Sequence, residues 1–283
     1  MSRFLLTGAG GMLGGDLRRA LDGRQVSALG RSQLDVTDLA AVRRAVDGHD
    51  VVINAAAFTR VDDAESHEAE AHAVNAVGAE NLAIAAREHG ARLIQVSTDY
   101  VFSGSGVGPF EENHPLDPIS AYGRTKADGE RMASRAHPDG TYIVRTAWLY
   151  GAGGPNFART ILRLAREQST INVVDDQRGQ PTWSADLARQ IVALLDSDAH
   201  AGIYHATNSG ETTWFNFARE ILRVAGLDPE RILPTTSSEL IRPAARPAHS
   251  ALRDRAMTAA GLEPMRDWHE ALRAAWDSGA LRA

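Results

Sequence analysis

The sequence predicts an α/β fold, a doubly wound parallel sheet carrying a smaller C-terminal lobe. Three observations lead there. Short apolar runs alternate with longer helical patterns from Arg3 onward. The first of these runs passes through a glycine-rich turn straight into a helix. Beyond Gly151 the pattern alternates between the main sheet and a second lobe.

Residues 3–7 read as a short buried strand, followed by Gly8-Ala9-Gly10-Gly11-Met12-Leu13-Gly14 and the helical spacing Leu13, Leu17, Ala20, Leu21. A Gly-x-x-Gly-x-x-Gly spacing between strand and helix is the context of a Rossmann-type dinucleotide turn. Gly8 permits the tight turn, Gly11 lets a pyrophosphate approach the backbone, and Gly14 lets helix and strand pack closely. The helix N-terminus favours the anion, with the Met12 and Leu13 amides in its first turn. The bland alternative is a glycine-rich turn with no ligand.

The second strand, 25–29, ends in Gly30-Arg31-Ser32. An acidic residue at this tip would take the ribose hydroxyls of NAD, whereas an arginine can hold a 2′-phosphate. Arg31 therefore points to NADPH, with Asp35 and Val36 close enough in sequence to leave NADH open; a solvated loop charge is the competing reading of Arg31. A helix follows with Leu39, Val42 and Val46 on one face. Val51-Val52-Ile53 is the next strand and ends in Asn54-Ala55-Ala56-Ala57, small residues that let a cofactor lie against the backbone at the sheet's C-terminal edge.

One long helix is expected from about 64 to 89 with the core stripe Val74, Val77, Leu82 and Ala85, and Asn75 within it either bonds to nearby backbone or faces water. A strand at 93–96 delivers Ser97-Thr98-Asp99-Tyr100-Val101-Phe102 to the same edge, and residues 103–118 read as a loop over it. Strand alternation aims only one of Ser97 and Thr98 at the cleft; we assign Thr98. A strand at 142–145 leads to Thr146-Ala147-Trp148-Leu149-Tyr150-Gly151. Helices are expected at 156–167, 185–195, 214–225 and 268–276, extended segments at 171–174 and 203–206, and a Pro-, Thr- and Ser-rich loop at 233–248.

The chemistry centres on Tyr122 and Lys126. On a helix, residues four apart share a face roughly 6 Å along the axis, so an ammonium can sit beside a phenol. A free tyrosine titrates near pKa ~10, and a neighbouring cation favours its phenolate. Tyr122 then acts as proton donor and Lys126 as its tuner. Among 30 Lys and Arg residues, Lys126 is the only lysine, so a chain that otherwise uses arginine has kept one compact ammonium at this position. The alternative is a solvated helix face.

Composition bounds the rest. A net charge of −6 argues against nucleic acid or an anionic membrane as the main partner. The absence of cysteine removes disulfides, thiol nucleophiles and thiolate metal sites. The N-terminal apolar run is too short for a signal peptide and no apolar run approaches the ~20 residues that span a bilayer, so a cytoplasmic location is expected.

Aligned, these pieces resemble the extended short-chain dehydrogenase/reductases and, within them, the dTDP-4-dehydrorhamnose reductase family. The resemblance runs nearly end to end. It is carried by Thr7-Gly8-x-x-Gly11-x-x-Gly14, Asn54-Ala55-Ala56, Ser97 to Phe102, Tyr122-x-x-x-Lys126, Arg145-Thr146-x-Trp148-x-Tyr150, Asn156-Phe157, Asp176-Gln177-x-Gly179-x-Pro181-Thr182 and Arg246-Pro247-x-x-Ser250. It implies hydride transfer from NADPH or NADH to the C4 ketone of a dTDP-linked 6-deoxyhexose. By the same resemblance Tyr122 protonates the forming alkoxide, Lys126 holds the nicotinamide ribose and Thr98 bonds the carbonyl oxygen. Asp99, Tyr100, Trp148, Asn156 and Phe157 then line the sugar, with Trp148 as a wall, and Arg246 clamps the diphosphate.

The expected division is a cofactor domain over 1–147 with returning segments at 184–209 and 267–280, and a substrate-binding lobe over 148–183 and 210–266. A monomer or homodimer fits the resemblance. Some relatives dimerise through magnesium held by acidic side chains, one near the position of Asp16. Here the residue is Asp and not the longer Glu, no further ligand is identifiable, and Asp16 reads as a solvated helix carboxylate. Two alternatives stay open: the same chemistry on another dTDP-keto sugar, such as a dTDP-dihydrostreptose synthase, and a non-catalytic subunit resembling the regulatory β subunit of methionine adenosyltransferase.

Overall fold

A computed structural model describes residues 2–106 and 108–282. Met1, where the expected cofactor domain begins, and Val107, in the expected covering loop, lie outside the described residues, as does Ala283. The first half runs β1 (Arg3–Thr7), α1 (Met12–Ala20), β2 (Gln25–Leu29), α2 (Leu39–Val46), β3 (Val51–Asn54), α3 (Val61–Ala64), α4 (Glu68–His72), a π-helical turn (Ala73–Val77), α5 (Gly78–Glu88), β4 (Arg92–Thr98), α6 (Ala121–Ala136) and β5 (Thr141–Thr146). The second runs β6 (Leu149–Tyr150), α7 (Phe157–Glu167), β7 (Ile171–Val174), β8 (Arg178–Gly179), β9 (Thr182–Trp183), α8 (Ser184–Asp196), β10 (Gly202–His205), β11 (Thr212–Thr213), α9 (Trp214–Val224), β12 (Ile232–Thr235), α10 (Arg255–Ala259) and α11 (Trp268–Asp277).

Six strands pair in the order β2-β1-β3-β4-β5-β10, all parallel. The order reverses between β1 and β3, and this is where a doubly wound sheet opens a crevice at its C-terminal edge. Alternation along β1 serves both faces. Phe4 and Leu6 join α1 and α8 side chains such as Leu17, Leu187 and Ile191, while Leu5 joins Val42, Val46 and Leu82 from α2 and α5. Each fully buried leucine or isoleucine contributes about 2 kcal/mol. The strands are therefore apolar on both sides, as a covered parallel sheet requires.

A second cluster gathers Tyr150, Ile161, Trp183, Phe217, Ile221 and Ile232 from the later elements. Trp268, Ala271, Leu272 and Ala275 of α11 lie in this cluster, so the final helix packs here and not on the main sheet to which residues 267–280 were expected to return. Its apolar stripe begins on a tryptophan that meets Phe217 edge-on, ring centroids 5.8 Å apart. The expected loop at 233–248 also opens on a strand: Leu233 to Thr235 belong to β12, which runs parallel to β7. Pro234 is tolerated because this two-stranded ladder has an open edge.

The single helix expected over 64–89 starts at Glu68 and runs without a gap to Glu88 through the π turn, with α3 a separate short helix before it. Asn75 holds the π turn in place. Its side chain accepts from the Phe58 amide (2.8 Å) and donates to the Phe58 carbonyl (3.1 Å) and the Thr125 hydroxyl (3.1 Å). A Cβ at Gly129 of α6 would lie 2.1 Å from the Asn75 carbonyl oxygen, so α6 packs directly on the bulge. The extra residue shifts the stripe, leaving Val74 and Val77 half-buried while Ala76, Ala79 and Leu82 are enclosed. No helix among the described residues is long and apolar enough to cross a membrane.

Candidate active site

The glycine turn and the tip of β3 meet at the crevice. Gly8 has φ 67°, and a Cβ on it would lie 2.5 Å from the Ala55 carbonyl carbon and the Ala56 nitrogen. A Cβ on Gly14 would lie 2.3 Å from the Gly8 carbonyl oxygen, so α1 starts directly on the turn. Gly11 is the N-cap of α1, and no side chain caps it. Its first amides, with Met12 half-buried and Leu13 turned into the core, present bare N–H groups and the positive end of the helix dipole. Ala55, Ala56 and Ala57 are half-buried beside them. A pyrophosphate fits this backbone cradle.

Arg31 stands beyond β2 with its side chain 88% exposed, 3.8 Å from Glu70. Asp35 is engaged locally: it accepts from the Thr37 amide (2.9 Å) and hydroxyl (2.8 Å), bonds that hold its carboxyl below the usual range. Val36 is buried under Asn81, whose amide donates to its carbonyl. The cation offered at this tip is thus Arg31, loosely paired with Glu70, while the competing carboxylate is folded into a turn.

Ser120 caps α6 by accepting from the Gly123 amide at 3.1 Å, which starts the helix one residue before Tyr122. Glycine at 123 is required by contact: a Cβ would lie 2.2 Å from the Tyr100 carbonyl oxygen. α6 therefore sits on the chain that follows β4, and Tyr122 faces Thr98 and Tyr100. The two tyrosine rings meet edge-on at 5.7 Å. Ser97 is turned away, its hydroxyl donating to Glu130 at 2.5 Å, so Thr98 is the hydroxyl that bears on the phenol. Thr98 also donates to Asp99 (3.0 Å) and accepts from the Tyr100 amide (3.2 Å).

The electrostatics differ from the expectation that Lys126 lowers the Tyr122 pKa. Burial pushes Tyr122 up to about 12, the Thr98 hydroxyl works against this, and the Asp99 carboxylate adds to the rise. Lys126 is not among the groups that set this balance; its ammonium donates to the Val96 carbonyl at 2.7 Å. Nor is Lys126 on a solvated face. It is 3% exposed, and burial pulls it down to about 8 against a smaller opposing pull from Glu130. Asp99 is buried too and pushed up to about 6. Burial also raises Tyr100, helped by Asp99.

Behind this row lies a buried ionic network. Arg145 forks onto Glu130 (Nη2 to Oε2 2.7 Å, Nε to Oε1 2.9 Å) and donates to the Glu112 carbonyl at 3.1 Å. His205 lies 3.3 Å from Arg145 Nη1 and 2.9 Å from the Arg253 carbonyl. Burial, and then Arg145, pull its pKa down to about 3, so the ring is neutral: Nε2 accepts from Arg145 and Nδ1 donates to Arg253.

The outer residues divide. Trp148 is the one non-glycine with a left-handed backbone among the described residues (φ 44°), a conformation that costs about 1–3 kcal/mol. It stacks on Trp214 with centroids 3.6 Å apart and planes 8° apart, and Phe157 leans on the same Trp214 at 4.4 Å. Asn156 is a helix cap, accepting from the Arg159 amide and donating to the Gly151 carbonyl at 3.0 Å. Arg246, expected as a diphosphate clamp, is already engaged: it holds both oxygens of Asp62 (2.6 and 2.8 Å) and the Ala244 carbonyl (2.6 Å), which occupies three of its five N–H donors. Asp16 is not the solvated carboxylate expected. It is 5% exposed and accepts from Ser184 and Arg19, both at 2.5 Å. Among the described residues no group of His, Asp and Glu side chains is placed to hold a metal ion.

Sequence reasoning missed Gly123, Trp214, Asp62 and Glu130. Gly123 carried a signal, since glycine costs a helix interior about 1 kcal/mol and one beside a candidate phenol asks for a contact reason. Trp214 read only as the start of an amphipathic helix.

The profile of the RmlD substrate binding domain matches residues 2–280. A dTDP-4-dehydrorhamnose reductase of Streptomyces griseus is 56% identical over 278 residues, covering 95% of this chain and 91% of that protein. A dTDP-4-keto-6-deoxy-D-glucose reductase of Streptomyces niveus is 46% identical over 95% of each chain. Among solved structures, a dTDP-4-dehydrorhamnose reductase of Bacillus anthracis in complex with NADP superposes with a TM-score of 0.94 at 36% identity, covering 98% of this chain and 99% of that one.

Proposed function

Since the chain belongs to the RmlD substrate binding domain family, we propose that it reduces the C4 ketone of a dTDP-4-dehydro-6-deoxy-L-hexose with NADPH, converting dTDP-4-dehydro-L-rhamnose to dTDP-L-rhamnose. The observation that carries the reading is the row Thr98, Tyr122, Lys126 at the sheet edge beside a bare glycine cradle. NADPH supplies the hydride and, once oxidised, a positive charge near the phenol. Gly8, Gly11, Gly14 and the Met12 and Leu13 amides hold its pyrophosphate, Ala55 to Ala57 flank it, and Arg31 takes the 2′-phosphate.

The residues of this chain manage the proton. Thr98 turns its one hydroxyl proton from Asp99 to the ketone oxygen and orients that oxygen toward Tyr122, which delivers its proton as the alkoxide forms. Burial and the Asp99 carboxylate, opposed by the Thr98 hydroxyl, leave Tyr122 at about 12, too weak an acid for neutral pH, so the chemistry needs added positive charge at the moment of transfer. Lys126 is held ready for this by the Val96 carbonyl, and burial has weakened its hydration so that a ribose hydroxyl can take a donor. Trp148 forms the wall of the sugar site, and Asp99 and Tyr100 line it. Residues 1–147 with 184–209 serve the cofactor, while 148–183 and 210–266, joined by α11, serve the substrate.

A second reading concerns the sugar only. A relative nearly half identical along its whole length is named for reduction of a 4-keto-6-deoxy-D-glucose, which differs from 4-dehydro-L-rhamnose at both C3 and C5, so the configuration at these two carbons is the discriminating variable. NADPH oxidation, followed with dTDP-4-dehydro-L-rhamnose and with dTDP-4-keto-6-deoxy-D-glucose, ranks the two by kcat/KM. No oxidation with any dTDP-4-keto sugar sinks the reductase reading.

A further inference from the structure

We infer that Trp214 and Gly179 are positioning residues for the sugar pocket, acting through Trp148. This deepens the proposed function and rests on Trp148 being the sugar wall. The three residues form one assembly. Gly179 of β8 pairs across a short antiparallel ladder with Thr212 of β11, and Trp214 opens α9 directly after that strand. The ladder thereby fixes the distance between Gly179 and Trp214.

The Trp148 indole lies in the space they leave. Trp214 stacks on it at 3.6 Å and 8°, while a Cβ at Gly179 would lie 2.5 Å from Trp148 Cε2, 2.7 Å from Cζ2 and 2.8 Å from Nε1. The ring is confined by a parallel indole and by bare backbone, and its main chain is anchored by the Thr182 amide donating to its carbonyl at 3.2 Å. Left-handed φ in a tryptophan persists only where the surroundings over-determine it, and this assembly supplies that determination. Neither Trp214 nor Gly179 is among the residues assigned to hydride or proton transfer. Their effect falls on where the wall stands, and so on how tightly a hexose is held.

Stacked indoles this close couple their transitions and give an exciton couplet in the far-ultraviolet circular dichroism spectrum, which reads the assembly without any ligand. Trp214→Leu is expected to abolish the couplet and raise KM for the dTDP-keto sugar about tenfold, the scale of losing an aromatic stack, with kcat within about twofold. NADPH affinity stays at its wild-type value. Trp214→Phe keeps an aromatic face without an indole, so it restores KM while the couplet stays absent; Gly179→Ala, which pushes on the ring, weakens both.

A couplet absent from the wild-type protein, or a wild-type KM in Trp214→Leu, overturns the inference alone. Parallel losses of kcat and NADPH binding in Trp214→Leu also overturn it, because they mark general collapse of the lobe. A couplet present in a protein that turns over no dTDP-keto sugar overturns the functional reading beneath it.

Discussion

Lys126→Met tests whether the sole ammonium is held in the fold at an energetic cost. Lys126 is 3% exposed, and burial moves it from an ordinary 10.5 to about 8. The unfolded chain keeps that proton up to about 10.5 while the folded chain releases it near 8, so between these values the unfolded state binds more protons and stability rises with pH. Below pH 8 the full penalty applies, about 3 kcal/mol. Methionine has similar length and no charge. Replacing lysine also removes the 2.7 Å bond to the Val96 carbonyl, a loss of about 1.5–3 kcal/mol that opposes the gain. The net difference at pH 7 is therefore small, and the informative quantity is its pH dependence. Urea denaturation of both proteins at pH 7 and pH 10 is expected to show the wild type gaining over 2 kcal/mol, roughly, on the variant across that interval. A wild-type-minus-variant difference that does not change with pH would refute the claim that a buried ammonium sits here. The variant should also lose reductase activity, so that the same residue is dispensable for folding and required for turnover.

Three further outcomes follow from the geometry. Glu130→Gln leaves Arg145 buried without its carboxylate and should cost about 3–5 kcal/mol in urea denaturation, whereas replacing both partners by apolar residues of similar volume should recover most of that. Arg31→Ser should weaken NADPH binding about tenfold in a fluorescence titration and leave NADH unchanged; an equal loss for both would mean that Arg31 does not read the 2′-phosphate. Gly123→Ala places a Cβ 2.2 Å from the Tyr100 carbonyl, so kcat should fall more than tenfold, roughly, as Tyr122 is displaced, with NADPH affinity kept.

Much of the main sheet was legible in the sequence, because strands covered on both faces are continuous apolar runs and a Gly-x-x-Gly-x-x-Gly turn has few other structural uses. The row Thr98, Tyr122, Lys126 was legible as spacing and as the singular lysine. What escaped was set by contacts between distant segments. The π turn depends on Asn75 reaching Phe58 and Thr125, and on Gly129 admitting its carbonyl. α11 carries an apolar stripe that either core could accept, and its packing with Phe217 and the rest of the second cluster decides between them. The sign of the Tyr122 shift escaped for a related reason: helical spacing puts Lys126 one turn from the phenol, but it does not show how deeply the fold buries Tyr122 or that Asp99 lies near it, the two effects that raise its pKa.

The same logic applies to the charges that pattern alone misread. Asp16 and Arg246 each looked like free groups, one a solvated carboxylate and the other an anion clamp. In the fold both are half of a tie between distant segments. Asp16 in α1 receives Ser184 at the start of α8, and Arg246 in the loop after β12 grips Asp62 in α3. A charge taken out of water must find a partner, and in a chain whose later segments return across the first half that partner is usually far away in sequence. The Asp62 and Arg246 tie matters most for substrate entry, because with the Ala244 amide it holds the Pro-rich loop after β12 against α3. A diphosphate near Arg246 would meet a fork with two donors left, so its binding energy there must come as an addition to the Asp62 pair and not as a replacement for it. Asp62→Asn separates the two cases. If Arg246 contacts the diphosphate only through its spare donors, the loop loosens and KM rises; if Asp62 competes with the diphosphate for the fork, KM falls.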